Sequence, residues 1–478
     1  MDVKLTAKKR DDEVLVDGQL LFQRLVAAGS RCDDLSKIFS FELCTYPPAL
    51  FESNGFMRLA NKANLADALW TSEIAAASGP TTDVQYVLDG GALLHRIPWS
   101  KAATWDSICK QYTSYVKHKY GKAIIVFDGY LDGPSPKDCT HLKRNGGCVG
   151  AEVHFSSTMA LQTRKEEFLC NKKNKQRFIN MLSQRLQEEG CDVFHARGDA
   201  DLLIVKTAIA SSARMDTVLI GDDTDLLVLL CHHAINTSHN IFFRPEQKTH
   251  SQKVQRCWNI RETRSLLGDV VCDYLPFVHA IAGCDTTSRV FGVGKKVPLL
   301  EIKKGSYFAK QASVFMKKDA KKEEIVVAGE HAMVSLYKGR QGEPLNDLRL
   351  RKFYDKTISR KEMVQPQSLP PTSGSIKYHS LRVYHQVQEW TDDTSHLPAE
   401  QWGWKVNNGQ MMPILTDMMP APQDLLEIMR CNCKSGCNTM RCTCRKNGLD
   451  CSMACGECRG VCANITHSAT DTDSEEEE

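Results

Sequence analysis

Short apolar runs that end at an aspartate recur between residues 84 and 225, and they constrain the fold more than any other feature of the chain. Helical stretches separate these runs; residues 168–190, for example, carry apolar side chains at helical spacing just before one of them. Strands that alternate with helices predict βαβ units, and hence an α/β fold with a mostly parallel sheet flanked by helices. The acids that close the runs are Asp89, Asp128, Asp199, Asp201, Asp223 and Asp225.

These aspartates are expected to converge, because the carboxyl ends of strands in an open α/β sheet meet in one crevice. Several carboxylates gathered there repel one another unless cations lie between them. Oxygen ligands of this kind suit Mg²⁺ or Mn²⁺. A single aspartate after a strand is more often a turn residue or a helix N-cap, which is the ordinary interpretation of Asp128 or Asp199 taken alone. The pairs at 199/201 and 223/225 favour a metal site.

Five segments resemble, in the correct order, motifs of the flap-endonuclease (XPG-like) branch of the PIN-like nucleases. VLDGGALLH and AIIVFDGYLDGPSPK resemble the family's first two acidic strands. ARGDADLLIVKTA resembles its paired-acid helix start, with aspartates where the family more often has glutamates, and VLIGDDTDLLVL resembles its next acidic strand. FVHAIAGCDTTSRVFGVGKK (277–296) resembles the family's final acid, followed by the Gly-x-Gly turn of a helix-two-turn-helix element. The resemblance covers about residues 84–300.

The resemblance implies a metal-dependent nuclease with a complete set of acids, which favours an active enzyme. Asp222 would flank the ligands. Two divalent ions, Mg²⁺ or Mn²⁺, would be bound; one would activate a water and both would stabilise charge on the scissile phosphate. The metal-binding and catalytic acids would be Asp89, Asp128, Asp199, Asp201, Asp223, Asp225 and Asp285.

The hairpin at 290–297 is implied to grip duplex DNA beside the cut, often with a bound potassium ion (K⁺). Gly292 and Gly294 would let the backbone approach a phosphate, and Lys295 and Lys296 would add positive charge. A glycine-containing turn followed by a solvated basic patch is the alternative when the two glycines are considered alone.

The chain also departs from the family before its first motif and in the region of the family's arch. About 80 residues precede the first motif, whereas the family usually begins its nuclease domain at the N-terminus. In the region where relatives place an arch, Lys137, Lys143 and Arg144 are the candidates for contacting the substrate phosphate. DNA is favoured over RNA as the substrate. A structure-specific endonuclease, an exonuclease, an RNA-cleaving enzyme and an inactive nucleic-acid or chromatin adaptor all stay open.

Nine of the chain's 20 cysteines lie within residues 431–462, a block with too few large apolar residues to build a core. Metal must therefore supply its folding free energy. Nine thiolates can serve three tetrahedral Zn²⁺ ions when three sulfurs each bridge two metals; two four-cysteine sites with a spare thiol also fit. The ligands would be Cys431, Cys433, Cys437, Cys442, Cys444, Cys451, Cys455, Cys458 and Cys462.

The spacing of this block resembles one tesmin-like CXC repeat. Arg441 stands where DNA-binding relatives often have a tyrosine, and those relatives often carry two repeats. Basic residues nonetheless outnumber acidic ones in the block, so phosphate contact is plausible. A purely structural zinc module, or one that binds chromatin or protein partners, is the equal alternative.

The net charge of +3 is too small to argue nucleic-acid binding by itself. We find neither a secretory signal nor an apolar run that could span a bilayer, so a soluble, intracellular protein without a membrane partner is expected. The pairing of a nuclease with a zinc module suits a nuclear location. The predicted division is a helical extension (1–80), the nuclease core (81–300), a helical continuation (301–364), a linker with a helix (365–430), the zinc module (431–462) and a disordered acidic tail (463–478).

Overall fold

The computed structural model describes most of the chain and divides it into two compact units. The sheet unit comprises Phe56–Leu336 and Tyr378–Ile414, and the cysteine unit comprises Met1–Gly55, Tyr337–Lys377 and Leu415–Glu478. Residues 466–478 of the expected acidic tail lie outside the described residues. Described are residues 6–9, 12–15, 18–29, 35–76, 79–80, 83–130, 133–144, 146, 150–246, 255–359, 363–391, 397–428, 430–434, 436–452 and 455–465.

Ten strands and twenty α-helices are formed by the described residues. In chain order, the strands are β1 (Thr6–Lys9), β2 (Asp12–Leu15), β3 (Gln85–Asp89), β4 (Ile124–Phe127), β5 (Asp192–His195), β6 (Thr217–Ile220), β7 (Ile241–Arg244), β8 (Trp258–Asn259), β9 (Trp404–Asn407) and β10 (Gln410–Pro413). The helices are α1 (Gly18–Gly29), α2 (Leu35–Phe39), α3 (Ala63–Leu69), α4 (Ser72–Ala76), α5 (Gly90–Arg96), α6 (Trp105–Tyr120), α7 (Asp138–Arg144), α8 (Lys165–Cys170), α9 (Lys172–Glu188), α10 (Asp201–Ser211), α11 (Thr224–His233), α12 (Ile260–Leu267), α13 (Asp269–Ile281), α14 (Lys296–Lys304), α15 (Ser306–Phe315), α16 (Lys322–Leu336), α17 (Leu345–Ser359), α18 (Ser373–Thr391), α19 (Gln423–Ile428) and α20 (Thr443–Lys446).

The sheet unit contains a six-stranded sheet in the order β5-β4-β3-β6-β7-β8, parallel except for the antiparallel pair β7–β8. This confirms the mostly parallel sheet flanked by helices. The chain builds β4 and β5 on one side of β3 and then returns to place β6 on the other side. The carboxyl ends of β3 and β6 therefore form a topological switch point, where open α/β sheets hold their ligands.

The core of the sheet unit explains why these strands form. Strand β6 (TVLI) is buried at every residue, as a continuous apolar run in a parallel sheet should be. Helices α6 and α9 pack together through Trp105, Tyr112 and Phe178, all of them fully or almost fully buried. These side chains belong to the same buried core as Ile125 and Phe127 of β4.

The predicted helix-two-turn-helix element is present in the sheet unit. Helix α13 ends at Ile281, two turns follow, and α14 begins at Lys296. Gly283 (φ 101°) and Gly292 (φ 76°) adopt the left-handed backbone that these turns require.

The cysteine unit has a small core of its own. Helix α1 packs against α19, and α2 packs against α17, where the rings of Phe39 and Phe353 lie 4.8 Å apart. Leu21, Phe22 and Leu25 of α1 belong to the same buried cluster as the cysteines of residues 431–458. Across the described residues of both units, we find no helix of the length and apolarity that a bilayer crossing requires.

Candidate metal centre

Asp89 and Asp128 follow neighbouring strands and lie close together. Asp89 caps α5, accepting from the backbone amides of Gly91 (2.8 Å) and Ala92 (3.1 Å). Asp128 accepts from the backbone amide of Ala200 (3.0 Å) and the hydroxyl of Tyr130 (3.0 Å). A methyl group on Gly91 would lie 3.1 Å from Asp89 Oδ1 and 3.4 Å from Asp128 Oδ2, so glycine keeps the space between the carboxylates open.

Three further carboxylates, which we call the Asp trio, converge beside the switch point. Asp223 follows β6 and caps α11, Asp225 lies in the first turn of α11, and Asp285 lies in the turns after α13. One oxygen from each lies within 4.8 Å of the others. Hard carboxylate oxygens at this separation fit a divalent ion with oxygen ligands at about 2.1 Å.

The ammonium of Lys62 lies among the three carboxylates of the Asp trio. Its Nζ is 2.9 Å from Asp223, 2.7 Å from Asp225 and 3.0 Å from Asp285. Lys62 immediately precedes α3, in the part of the chain where the sequence indicated no chemistry. A lysine before a short helix carries no sequence signal for such a role, because only the tertiary fold brings it to the acids.

Asp199 and Asp201 form a second acidic pair at the start of α10. Lys137, expected to contact the substrate phosphate, lies 2.6 Å from Asp199 and 3.9 Å from Asp201. Lys175 of α9 was also missed from the sequence. Its Nζ lies 4.3 Å from the ring centroid of Tyr130, and the Asp128 charge acts on it.

The charges of the seven aspartates act on one another. Burial, together with the Asp128 carboxylate, raises the pKa of Asp89 to about 7. Burial and the Asp199 carboxylate raise the pKa of Asp201 well above its ordinary value. Both effects disfavour the charged carboxylate, and a bound cation would reverse them.

Within the Asp trio the pKa values of Asp223 and Asp225, at the start of α11, are shifted in opposite directions. Burial and the neighbouring Asp225 raise the pKa of Asp223 to about 6. Burial also opposes ionisation of Asp225, but Lys62 and His279 outweigh it and hold the pKa of Asp225 well below the ordinary range. His279 Nε2 lies 2.7 Å from Asp225 Oδ1. Asp225 therefore holds its negative charge to lower pH than Asp223 does.

The other expected phosphate contacts occupy different positions. Arg144 lies 2.7 Å from Asp285, at the edge of the Asp trio. Lys143 donates to the backbone carbonyl of Met57 (3.0 Å). Asp222 points away from the trio, toward Arg96 (3.1 Å).

The hairpin at 290–297 differs from expectation at one lysine. Gly292, Gly294 and Lys296 are exposed. Lys295 is buried, and its ammonium donates to the carbonyl oxygens of His279 (2.6 Å) and Gly283. The expectation that Lys295 presents its charge to a phosphate is therefore wrong for this conformation. The Lys295 ammonium instead links the end of α13 to the turn at Gly283 through these hydrogen bonds.

The cysteine unit brings all nine cysteines of the block together as free thiols. Four overlapping groups of four sulfurs can each hold a metal ion, and Cys431 belongs to three of them. Cys431 Sγ lies 3.7 Å from Cys458 and 3.8 Å from both Cys437 and Cys451. Two thiolates on one tetrahedral zinc lie about 3.8 Å apart, because Zn–S bonds are about 2.3 Å long, so these separations fit zinc.

One cation from outside the block touches this cluster. The guanidinium of Arg24 on α1 is 3.4 Å from Cys444 Sγ and also donates to the backbone carbonyl of Asp450. Arg24 is only 7% exposed. A positive charge against a thiolate partly offsets the negative charge of a thiolate-rich metal cluster.

Known proteins resemble this chain in structure at low sequence identity. No protein-family model matches the sequence, and no curated protein matches it. Among solved structures, the chain is similar to the catalytic core of Rad2 in complex with a DNA substrate (13% identity, TM-score 0.31, 52% of this chain and 67% of that one). It is also similar to T5 5′-exonuclease with bound zinc ions (15% identity, TM-score 0.30, 65% and 98%). Human GEN1 with Holliday junction DNA is a third (11% identity, TM-score 0.31, 69% and 80%). Because these TM-scores are low, the function proposed below depends on this chain's own residues.

Proposed function

We propose that this protein is a metal-dependent nuclease that hydrolyses phosphodiester bonds of DNA. The observation that carries the proposal is the crevice at the switch point, where aspartates from four strand ends and the turn after α13 act on one another's charge. Carboxylates concentrated in this way serve divalent cations, and phosphodiester hydrolysis is the chemistry that such paired sites perform. The five motifs in their order support the same function.

The residues of the crevice divide into two roles. The seven aspartates would hold Mg²⁺ or Mn²⁺, which supplies an activated water and stabilises charge on the scissile phosphate. Lys137 and Arg144 contact the acids, the Asp128 charge acts on Lys175, and these three cations would orient and neutralise that phosphate. Lys296 and the exposed glycines of the hairpin would contact the duplex further away. DNA is proposed over RNA, and flap specificity is left to experiment.

The proposed zinc module would assist nucleic-acid or partner binding. Nine sulfurs in four overlapping groups favour about three zinc ions with bridging thiolates over two separate sites. A zinc-to-protein ratio near two, measured by atomic emission on the purified chain, would contradict this assignment. A nuclear location is part of the same proposal, because the pairing of a nuclease with a zinc module suits a nuclear protein.

The nuclease proposal is tested by direct cleavage assays. The purified protein is incubated with Mg²⁺ or Mn²⁺ and a panel of flap, bubble, duplex, single-stranded and RNA substrates. The Asp223→Asn plus Asp225→Asn variant should lose activity by at least about a thousandfold, because it removes two metal ligands without changing side-chain size. Asp222→Asn is the matched control, since this neighbouring carboxylate points toward Arg96. Equal cleavage by the double variant and the wild type would refute the site.

A second candidate function is an adaptor that binds nucleic acid without cutting it. The observation that favours it is the Lys62 ammonium, which offsets part of the negative charge of the Asp trio with the protein's own charge. An adaptor would bind the DNA panel in the presence of Mg²⁺ and leave every substrate intact.

A further inference from the structure

The ammonium of Lys62 contacts all three carboxylates of the Asp trio. An ammonium has three N–H donors and no acceptor. Nζ donates to Asp223 and Asp225, and it forms an ion pair with Asp285 at 3.0 Å. The side chains of Lys62 and Asp225 are only 13% and 3% exposed, which shields their attraction from water. This ion cluster differs from the weak surface pairs that lysines usually form.

The backbone before Lys62 forms hydrogen bonds with two other parts of the sheet unit. The carbonyl of Met57 accepts from Lys143 Nζ of α7 (3.0 Å), and the carbonyl of Arg58 accepts from the backbone amide of Arg289 (2.8 Å). We call residues 57–62 the strap. The strap is therefore fastened to α7 and to the turns after α13, which brings Lys62 to the acids.

The helix after Lys62 fastens the other end of the strap. Helix α3 packs against α11, which carries Asp225, and its Leu65 and Leu69 are fully buried. Lys62 occupies the N-cap position of α3 but makes no capping hydrogen bond with its side chain. An ammonium has no acceptor for the backbone amides of a helix start, and this one contacts the carboxylates.

A divalent ion and this ammonium cannot share the Asp trio. A metal bound by the three carboxylates would stand about 2.1 Å from their oxygens, in the space that Nζ fills. We propose that Lys62 is a built-in competitor of the divalent cation, which must displace the ammonium to bind the trio, so that Lys62 sets the metal affinity of the site. This inference depends on the metal site of the proposed function, but not on cleavage of any substrate.

Lys137 provides an internal comparison. Its ammonium is 2.6 Å from Asp199 and 3.9 Å from Asp201, so it makes one close contact and leaves room beside the pair. A cation that flanks its acids is compatible with a bound metal, whereas one that lies among three of them is not. Removing Lys137 should therefore change metal affinity less than removing Lys62.

The test is a titration of the purified full chain with Mn²⁺ alone, followed by the electron paramagnetic resonance signal of free Mn²⁺. Lys62→Met keeps the length of the side chain and removes its charge, so Mn²⁺ should bind about tenfold more tightly. Lys62→Arg, which keeps the charge, should bind Mn²⁺ as the wild type does. Lys101→Met is the matched control, because Lys101 is an exposed lysine on another part of the sheet unit.

Several results would overturn the inference. Unchanged or weaker Mn²⁺ binding by Lys62→Met would show that the lysine supports the site or has no influence on it. Equal tightening in Lys101→Met would reduce the effect to net charge. Absence of Mn²⁺ binding in every variant would mean that the ammonium has no metal to compete with. If Mn²⁺ binds as expected but no substrate is cut, the proposed function fails and the competition stands.

A second measurement needs no substitution and covers the case in which Lys62→Met does not fold. Lysines of the wild-type protein are acetylated with a succinimidyl ester, with and without saturating Mn²⁺, and the sites are quantified by mass spectrometry. Lys62 should be protected without Mn²⁺ and should gain label severalfold with it. Lys101 should be labelled equally in both conditions. Protection of Lys62 that persists at saturating Mn²⁺ would overturn the proposed displacement.

Discussion

The carboxylate crevice of the sheet unit and the cysteine cluster are both suited to metal ions, but the two regions obtain their shape in opposite ways. In the crevice, hard oxygen ligands stand at the ends of strands whose core contains Trp105, Tyr112 and Phe178. In the cysteine cluster, soft sulfur ligands supply most of the buried side chains of their own segment, with Leu449 as the buried aliphatic one. The first region therefore has an apolar core of its own, whereas the second buries mainly its cysteines, and we expect it to need metal to fold.

The cations beside the two regions differ in the same way. Lys62 lies where a metal would bind, and Arg24 lies behind a thiolate that would bind one. The Lys62 charge therefore occupies the position that a metal would take, whereas the Arg24 charge would offset the negative charge of a thiolate cluster with bound metal. Removing each charge should change metal affinity in opposite directions, which gives the comparison a measurable sign.

The largest expected effect comes from metal removal. A strong chelator should unfold residues 436–452 and leave residues 217–233 folded, because structural zinc contributes about 10–16 kcal/mol of folding free energy in small zinc domains. Hydrogen exchange measured by mass spectrometry resolves the two segments. Equal protection of residues 436–452 before and after chelation would mean that the cysteine cluster folds without metal.

A backbone substitution tests whether the crevice is made by the fold alone. A methyl group on Gly129, just after Asp128, would lie 2.2 Å from the carbonyl oxygen of Ala196, so Gly129→Ala should lower the free energy of unfolding by about 1–3 kcal/mol. Gly198→Ala is the control, because its methyl group would meet nothing within 4 Å. Urea unfolding measures both. Identical urea midpoints for the two variants would show that β4 and β5 move apart at little cost in free energy to admit the methyl group.

The Arg24 guanidinium should strengthen metal binding in the cysteine cluster. Arg24→Met removes the charge beside Cys444 and should weaken zinc binding by about tenfold, as loss of an outer hydrogen-bond partner commonly does. Arg24→Lys should restore part of this loss. Competition with a chromophoric chelator measures the affinity. Tighter zinc binding by Arg24→Met would reverse the proposed contrast with Lys62.

The smallest effect near neutral pH belongs to a buried histidine of the sheet unit. Burial and the nearby Arg382 charge lower the pKa of His379 from 6.5 to about 3. His379 therefore binds a proton more readily in the unfolded chain than in the folded one. The contribution of neutral His379 to the free energy of unfolding is complete above about pH 6.5 and is lost progressively toward pH 3. His379→Gln should reduce the slope of unfolding free energy against pH by about one proton between pH 6 and 4. A slope equal to that of the wild type would contradict the shift.

The sequence predicted the features that depend on local chemistry. Apolar runs specify β3, β4 and β6, and an aspartate after each run is carried to the sheet edge by the direction of the strand. The nine cysteines lie close together along the chain, and this spacing predicted that their sulfurs lie close together in the structure. Short distances along the chain limit where such residues can go.

Features that depend on distant segments could not be predicted. Lys62 reaches the Asp trio because α3 packs on α11, and nothing in the residues around Lys62 indicates that packing. The residues around Lys295 are typical of an exposed lysine. Its ammonium is nevertheless buried, because it donates to the carbonyl oxygens of His279 and Gly283. Arg24 likewise meets a cysteine more than 400 residues away.

The make-up of the cysteine unit has a consequence for how the protein is made. Its parts come from both ends of the chain and from a middle segment, so α1 leaves the ribosome long before α19 and the cysteines against which it packs. Leu21 and Leu25 must wait, with their apolar surface uncovered, while the whole sheet unit is synthesised. Exposed apolar surface of this kind favours aggregation during synthesis. Helix α1 therefore buries its apolar face completely only after the cysteine block has been synthesised.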